Sequence, residues 1–211
     1  MMHNFIAIEG NIGAGKTTLS TLLAKHFNAR LVLEQFSDNP FLPEFYKNPT
    51  KVAFPLELSF LADRYGQLKD DLINLDLFNE VSIADYFIYK SLIFASNNLK
   101  EDELLLYQRL FDIIAASLPK PDLLIYLYLD TAQLQKNIAK RGRVYELEIK
   151  PEYLDQIQNR YLAFLQGLPN QKVLVIDMQG IDFIDDKTKF EQIVALLKND
   201  YPKGITNISL H

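Results

Sequence analysis

Short, almost continuously apolar runs recur along the chain, separated by longer stretches whose apolar positions repeat every three to four residues. The runs FIAIEG (5–10), RLVLE (30–34), VSIAD (81–85), LLIYLYL (123–129) and KVLVID (172–177) read as buried strands. Strands apolar on both sides belong in a parallel sheet covered on both faces. Helical spacing is found near 15–27, 53–74, 101–117, 131–141, 152–166 and 187–198. This alternation predicts an α/β fold, a five-stranded parallel sheet flanked by helices. Pro119 and Pro121 mark the entry to the fourth strand, and Asp130 offers a cap to the helix after it. There is no internal repeat or low-complexity linker, so a single domain over 1–211 is expected. The closing residues PKGITNISLH (202–211) have the composition of turns and are expected to form a loose tail.

One helical pattern carries charges where its apolar face should be. In FPLELSFLADRYGQL (54–68), Glu57, Leu61, Arg64 and Leu68 fall on one stripe. Neither charge has an opposite charge three or four residues away, where helical ion pairs form. The two lie about 10 Å apart along the axis, the length of a small flat molecule.

Composition narrows the classes. Apolar and charged fractions of 48% and 23% are those of an ordinary globular chain. A net charge of −5 argues against binding nucleic acid by phosphate neutralisation. With no cysteine, thiolate metal sites, disulfides and cysteine nucleophiles are excluded. No run is long and apolar enough for a membrane span, and the opening MMHNFIAIEGN is too short a run for a signal peptide. A cytoplasmic location is therefore expected. His3, His26 and His211 are scattered and have no metal-ligand spacing.

The chemistry begins where the first strand ends. Gly10, Asn11, Ile12, Gly13, Ala14, Gly15, Lys16 and Thr17 spell G-x-x-x-x-G-K-[ST], followed by Thr18. Backbone N–H groups of such a loop and the helix behind it cradle phosphates. Lys16 reaches the β- and γ-phosphates, and the Thr17 hydroxyl is a Mg²⁺ ligand. A P-loop NTPase fold and a bound nucleoside triphosphate are the expectation. No guanine-reading N-K-x-D follows, and VSIADY offers Asp85 followed by Tyr86 rather than the Asp-Glu of a motor ATPase. A kinase for a small acceptor is the simplest reading, with a nucleotide-driven switch as its rival.

KRGRVYE (140–146) ends a helix with Lys140, Arg141 and Arg143. Positive charge suits a helix C-terminus in any protein, and the same arginines suit a short lid closing on a transferring phosphoryl group. Glu34, at the end of the second strand, is the candidate acceptor of a hydroxyl proton. Asp85, at the end of the third, is the candidate to orient Mg²⁺ through water. Phe36, Phe41 and Phe45 suit either base stacking or core packing. The aromatic residues of 86–94 suit core or pocket wall. The apolar positions Leu104, Leu105, Tyr107, Leu110, Phe111 and Ile114 suit either a core or a subunit interface.

Six segments in one order carry a resemblance: IEGNIGAGKTTL (8–19), LEQFSDNPFLPEFY (33–46), LELSFLADRYGQL (56–68), IADYFIYKSLIFA (83–95), LPKPDLLIYL (118–127) and KRGRVYE (140–146). The chain resembles the deoxynucleoside kinases, most closely their bacterial deoxyguanosine and deoxyadenosine branch. The resemblance implies a five-stranded parallel sheet, usually in a homodimer, with ATP as donor, Mg²⁺ as cofactor and a deoxynucleoside as acceptor. It implies Glu34 as general base on the 5′-hydroxyl, and Tyr46 and Glu146 on the sugar 3′-hydroxyl. Glu57 and Arg64 would face the base, Arg141 and Arg143 the phosphates, and backbone around Ile181 to Phe183 the donor base. Many members carry an acidic residue, Arg and Ser in series where this chain has Ala84, Asp85 and Tyr86. Many also carry Gln where Glu57 stands. A carboxylate only accepts hydrogen bonds, which suits the adjacent N1–H and 2-amino donors of guanine, with Arg64 available to O6 or N7. Deoxyguanosine is the expected acceptor, with deoxyadenosine or deoxycytidine as the alternatives.

Overall fold

The computed structural model describes residues 3–35, 39–73 and 81–210. Phe36 and His211, both singled out above, lie outside the described residues, as does residue 74 of the second predicted helix. Six parallel strands form one sheet in the order β2-β3-β1-β4-β5-β6. They are β1 (Phe5–Gly10), β2 (Arg30–Val32), β3 (Ser82–Ala84), β4 (Leu123–Tyr128), β5 (Lys172–Asp177) and β6 (Gly204–Ser209). The helices are α1 (Lys16–Phe27), α2 (Leu42–Lys47), α3 (Pro49–Ile73), α4 (Tyr89–Asn98), α5 (Glu101–Ala115), α6 (Thr131–Arg141), α7 (Pro151–Gln166) and α8 (Lys187–Leu196).

Side chains of the central strands alternate between two cores, as period-two geometry demands. Phe5 and Ala7 of β1, with Leu124 and Tyr126 of β4, meet α3, α4, α5 and α7. Ile6 and Ile8, with Leu123, Ile125 and Leu127, meet α1, α6 and α8 on the other face. Every residue of β1 is buried, which explains its unbroken apolar run.

The sheet has six strands, not five. The expected loose tail is β6, paired with β5 from Lys172↔Gly204 to Asp177↔Ser209. Its residues alternate between half-buried and exposed, the pattern of an edge strand covered on one face. Thr206, Asn207 and Ser209 disguise it, because an edge strand tolerates polar residues that a central one does not. Two helices also escaped the periodicity. α2 has only six residues. α4 buries Lys90, Ser91, Ile93 and Ala95, so its inward face mixes polar with apolar types. α3 starts at Pro49, earlier than predicted, and carries Pro55 inside it, which removes the hydrogen bond to the Lys51 carbonyl.

From β1 the chain moves outward in one direction to β2 and returns to β3, then crosses to β4 on the other side. Ligands in open parallel sheets bind outside the carboxyl ends of strands at such a reversal. The residues after β1, β2 and β3 therefore face one crevice.

Candidate active site

Gly10 closes β1, Asn11 to Gly15 form the loop, and Lys16, Thr17 and Thr18 open α1. Gly13 and Gly15 both have φ of 86°, which a side chain resists, and a Cβ on Gly13 would lie 2.8 Å from the Leu134 carbonyl oxygen. Neighbouring helices pin the loop. Asn11 donates to the Leu154 carbonyl of α7 at 2.8 Å, and Asn137 of α6 donates to the Gly13 carbonyl at 2.8 Å. Ala14 is buried beneath it, and Ile12 lines the crevice. Lys16 Nζ donates to the carbonyls of Gly10 and Asn11, each at 2.9 Å. Burial, with repulsion from Lys90, brings its amine down to about 8.

Thr17 Oγ1 donates to Asp85 Oδ2 at 2.5 Å. The other oxygen of Asp85 accepts the Glu34 backbone N–H at 2.7 Å, so one carboxylate ties the ends of β2 and β3 to the phosphate loop. These two hard oxygens fit Mg²⁺, which takes few protein ligands and completes its octahedron with phosphate oxygens and water. Among the described residues no cluster of three or more His, Cys, Asp or Glu side chains offers a different metal site.

Across the crevice, Glu34 is held by two cations. Arg64 meets Oε1 through Nε at 2.8 Å and Nη2 at 2.7 Å, and Lys90 Nζ meets Oε2 at 2.5 Å. The Glu34 side chain is only 7% exposed. Burial pushes its carboxyl up, but Lys90 and Arg64 together overcome this and hold it at about 2. Arg64 Nη1 donates to Ser91 Oγ at 2.8 Å, which leaves one N–H on each terminal nitrogen uncommitted among the described residues. The missing partner of Arg64 on its own helix is thus supplied from the end of β2.

Glu57 is 1% exposed and has no cation in contact. Its Oε1 accepts from Asn98 Nδ2 at 2.6 Å, and Asn98 also donates to Tyr153 Oη at 3.2 Å. Its Oε2 finds no hydrogen-bond partner among the described residues. Burial lifts this carboxyl to about 7, against the lowering influence of Asn98 and Arg64. Folded Glu57 therefore keeps a proton that the unfolded chain releases near 4.5, so stability falls as pH rises from about 4.5 to about 7. The shift corresponds to about 3 kcal/mol at most. Glu57→Gln, which carries no charge to bury, is expected to gain about 2 kcal/mol at pH 8 and almost nothing at pH 5. Urea melts at the two pH values measure this; equal gains at both would exclude a buried charge as the cause.

The segment expected to form a lid contains a short turn at Val144–Glu146 after α6, where both arginines meet Glu146. Arg141 Nη2 pairs with Oε2 and Arg143 Nη1 with Oε1, the second at 3.2 Å. Glu146 is buried, while Val144 and Leu147 are exposed. Tyr145 stacks on Tyr46 of α2 with centroids 6.3 Å apart, which connects the lid turn to the acceptor side.

One crevice is lined by residues from the phosphate loop, Lys16 and Thr17, and by Glu57 and Asn98. The structure brings together Lys16, Thr17, Glu34, Tyr46, Glu57, Arg64, Asp85, Arg141, Arg143 and Glu146. Phe45 lies in the same wall, whereas Phe41 packs against the core. Ile181 is half-buried and Phe183 packs beside Gly15, its ring 3.4 Å from where a Cβ would stand. Lys90 and Asn98 line the cavity without having been singled out in the sequence. Lys90 had a signal: a lone charge inside the apolar run YFIYKSLIFA, the same anomaly that marked Glu57 and Arg64. Asn98 had none, because SNNLK reads as an ordinary helix end.

The fold and loop define a P-loop NTPase-type α/β protein. A family model described as deoxynucleoside kinase matches residues 6–201. The deoxyguanosine kinase of Bacillus subtilis (strain 168) is 40% identical over 198 residues, 92% of this chain and 96% of the relative. The deoxyadenosine/deoxycytidine kinase of the same organism is 30% identical, covering 91% of this chain and 90% of its own. The structure of M. mycoides deoxyadenosine kinase with bound dATP superposes with a TM-score of 0.80 at 29% identity, covering 93% of this chain and all of that one. The chain belongs to the deoxynucleoside kinase family, and its activity is that of a deoxynucleoside kinase. Among the described residues no helix is long and apolar enough to cross a membrane.

Proposed function

We propose that residues 1–211 form one kinase domain that transfers the γ-phosphoryl group of ATP to the 5′-hydroxyl of a purine deoxynucleoside, deoxyguanosine being favoured. The observation that carries the choice of base is Glu57: a buried carboxylate in the wall of the same crevice as Lys16, with one oxygen unpaired among the described residues. Guanine offers two adjacent donors to such an acceptor, and a site with unpaired buried groups penalises a base lacking them. The 40% identity to a deoxyguanosine kinase supports the same choice. In this reading the enzyme is cytoplasmic and works in deoxynucleotide salvage.

Catalysis is then positioning and charge stabilisation. The loop Gly10–Thr18 grips the triphosphate, with Lys16 on its outer phosphates. Mg²⁺, held by Thr17 and by Asp85 directly or through water, would neutralise charge between the phosphates. Glu34 orients the 5′-hydroxyl and receives its proton late, as a loose transition state permits. A carboxylate held at about 2 is a weak base, so orientation is its larger share. Lys90 supplies the cation that the series Ala84–Asp85–Tyr86 lacks. Tyr46 and Glu146 take the 3′-hydroxyl, and residues 140–148 act as the lid. Two copies associate through α5, where Leu105, Leu106 and Ile113 are exposed, and light scattering would give twice the chain mass.

The test is ADP release from ATP·Mg²⁺ with each of the four deoxynucleosides, with the product identified by mass. Deoxyguanosine 5′-monophosphate is expected as the fastest product. Faster turnover of deoxyadenosine or deoxycytidine would overturn the base assignment and keep the kinase.

A further inference from the structure

The crevice wall holds a carboxyl group, Glu57, arranged unusually for a simple acceptor. Asn98 commits both amide hydrogens, one to Glu57 Oε1 and one to Tyr153 Oη. This engages Oε1 and leaves the buried Oε2 without a partner among the described residues. A proton on Glu57 is favoured on Oε2, because Oε1 already accepts from a donor that cannot reverse its role.

The two protonation states present different faces. Ionised, the carboxylate accepts from guanine N1–H and its 2-amino group. Protonated, Oε2–H donates to adenine N1 while Oε1, with a lone pair to spare, accepts from the 6-amino group. We propose that a single proton on Glu57, held in register by Asn98, selects between the two purines, so that one site takes deoxyguanosine when Glu57 is ionised and deoxyadenosine when it is protonated. This deepens the reading of Glu57 as the group that faces the base, and rests on it.

The charged and titratable groups facing Glu57 come from six elements. Arg64 of α3 and Lys90 of α4 favour the ionised form, and Glu34 after β2 opposes it. Tyr107 of α5 donates to the Glu57 carbonyl at 3.3 Å. Tyr153 of α7 and Tyr46 of α2 are half-buried near it and held neutral, each phenol pushed far above its ordinary value, chiefly by desolvation. Arg64 pairs with Glu34 and Ser91 rather than with Glu57, so desolvation is not cancelled by a contacting cation among the described residues. The resulting value of about 7 puts both forms within reach of neutral pH.

The experiment is kcat/KM for deoxyguanosine and for deoxyadenosine between pH 6 and pH 8. Effects on the donor, on Mg²⁺ and on the phosphate site are common to both and cancel in the ratio. The ratio of deoxyguanosine to deoxyadenosine is expected to rise about tenfold per pH unit, because it follows the ratio of ionised to protonated Glu57. In Glu57→Gln, whose amide does not titrate, the ratio becomes independent of pH. Asn98→Ala removes a donor that favours the ionised form, so the ratio falls at every pH while its slope persists. A flat ratio with deoxyguanosine still preferred overturns the role of the proton and leaves the acceptor assignment standing. A slope surviving in Glu57→Gln overturns it as well, by moving the titration elsewhere. Phosphorylation of neither purine would overturn both this inference and the reading beneath it.

Discussion

Glu34→Gln is expected to lower kcat by about a thousandfold and to raise the nucleoside KM far less, within the range known for removal of a positioned acid–base group. The amide keeps the size of the side chain but cannot orient the 5′-hydroxyl as an acceptor on both oxygens. It also strands two buried cations. Arg64 and Lys90 both terminate on this carboxylate, with side chains 5% and 10% exposed. Removing one partner of a buried ionic cluster typically costs about 3–5 kcal/mol. Loss of rate and loss of stability must therefore be separated. The double variant Glu34→Gln, Lys90→Met removes one stranded cation together with the anion and is expected to recover part of the stability, but none of the rate. Denaturant melts and single-turnover rates on the three proteins decide the matter. If the double variant regained both stability and activity, Glu34 would be a structural ion-pair partner and not the residue acting on the hydroxyl.

That cluster also shows how far the sequence could be read. Five strands were legible because each is nearly continuous in apolar residues, and β1 and β4 are buried along almost their whole length. β6 was not, since an edge strand in contact with one neighbour needs an apolar face only on one side. The phosphate loop was legible because its chemistry is local: spacing along the chain fixes where N–H groups, amine and hydroxyl stand. Glu57 and Arg64 were visible as anomalies, charges on a face that should be apolar. Their partners were not visible. Arg64 is answered by Glu34, thirty positions away, and Glu57 by Asn98, forty-one away. Only the sheet order and the packing of α3 against α4 bring these together. A polar residue such as Asn98, unremarkable at a helix end, acquires its meaning from what it meets across the cavity.

The lid arginines offer the sharpest contrast between a local and a catalytic role. As charges at the C-terminus of α6, Arg141 and Arg143 stabilise the helix by a few tenths of a kcal/mol each, and their pairs with Glu146 add little because both side chains are about a third exposed. As groups that fold onto the transferring phosphoryl, they act where charge develops, and an arginine so placed is worth roughly 10³–10⁵ in rate. The double variant Arg141→Ala, Arg143→Ala is accordingly expected to lose at least about a thousandfold in kcat, with KM for ATP and nucleoside changed by only a few fold. Thermal stability should scarcely move. Lysine at the same positions should restore little, since a point charge cannot donate in the planar fork that suits phosphate oxygens. In the turn Val144–Glu146, Glu146 is buried and holds both guanidinium groups in one place, while Val144 beside it is exposed. A variant that raised KM for ATP tenfold or more at unchanged kcat would make the arginines anchors of the donor. One that lost stability but not rate would return them to the helix terminus alone.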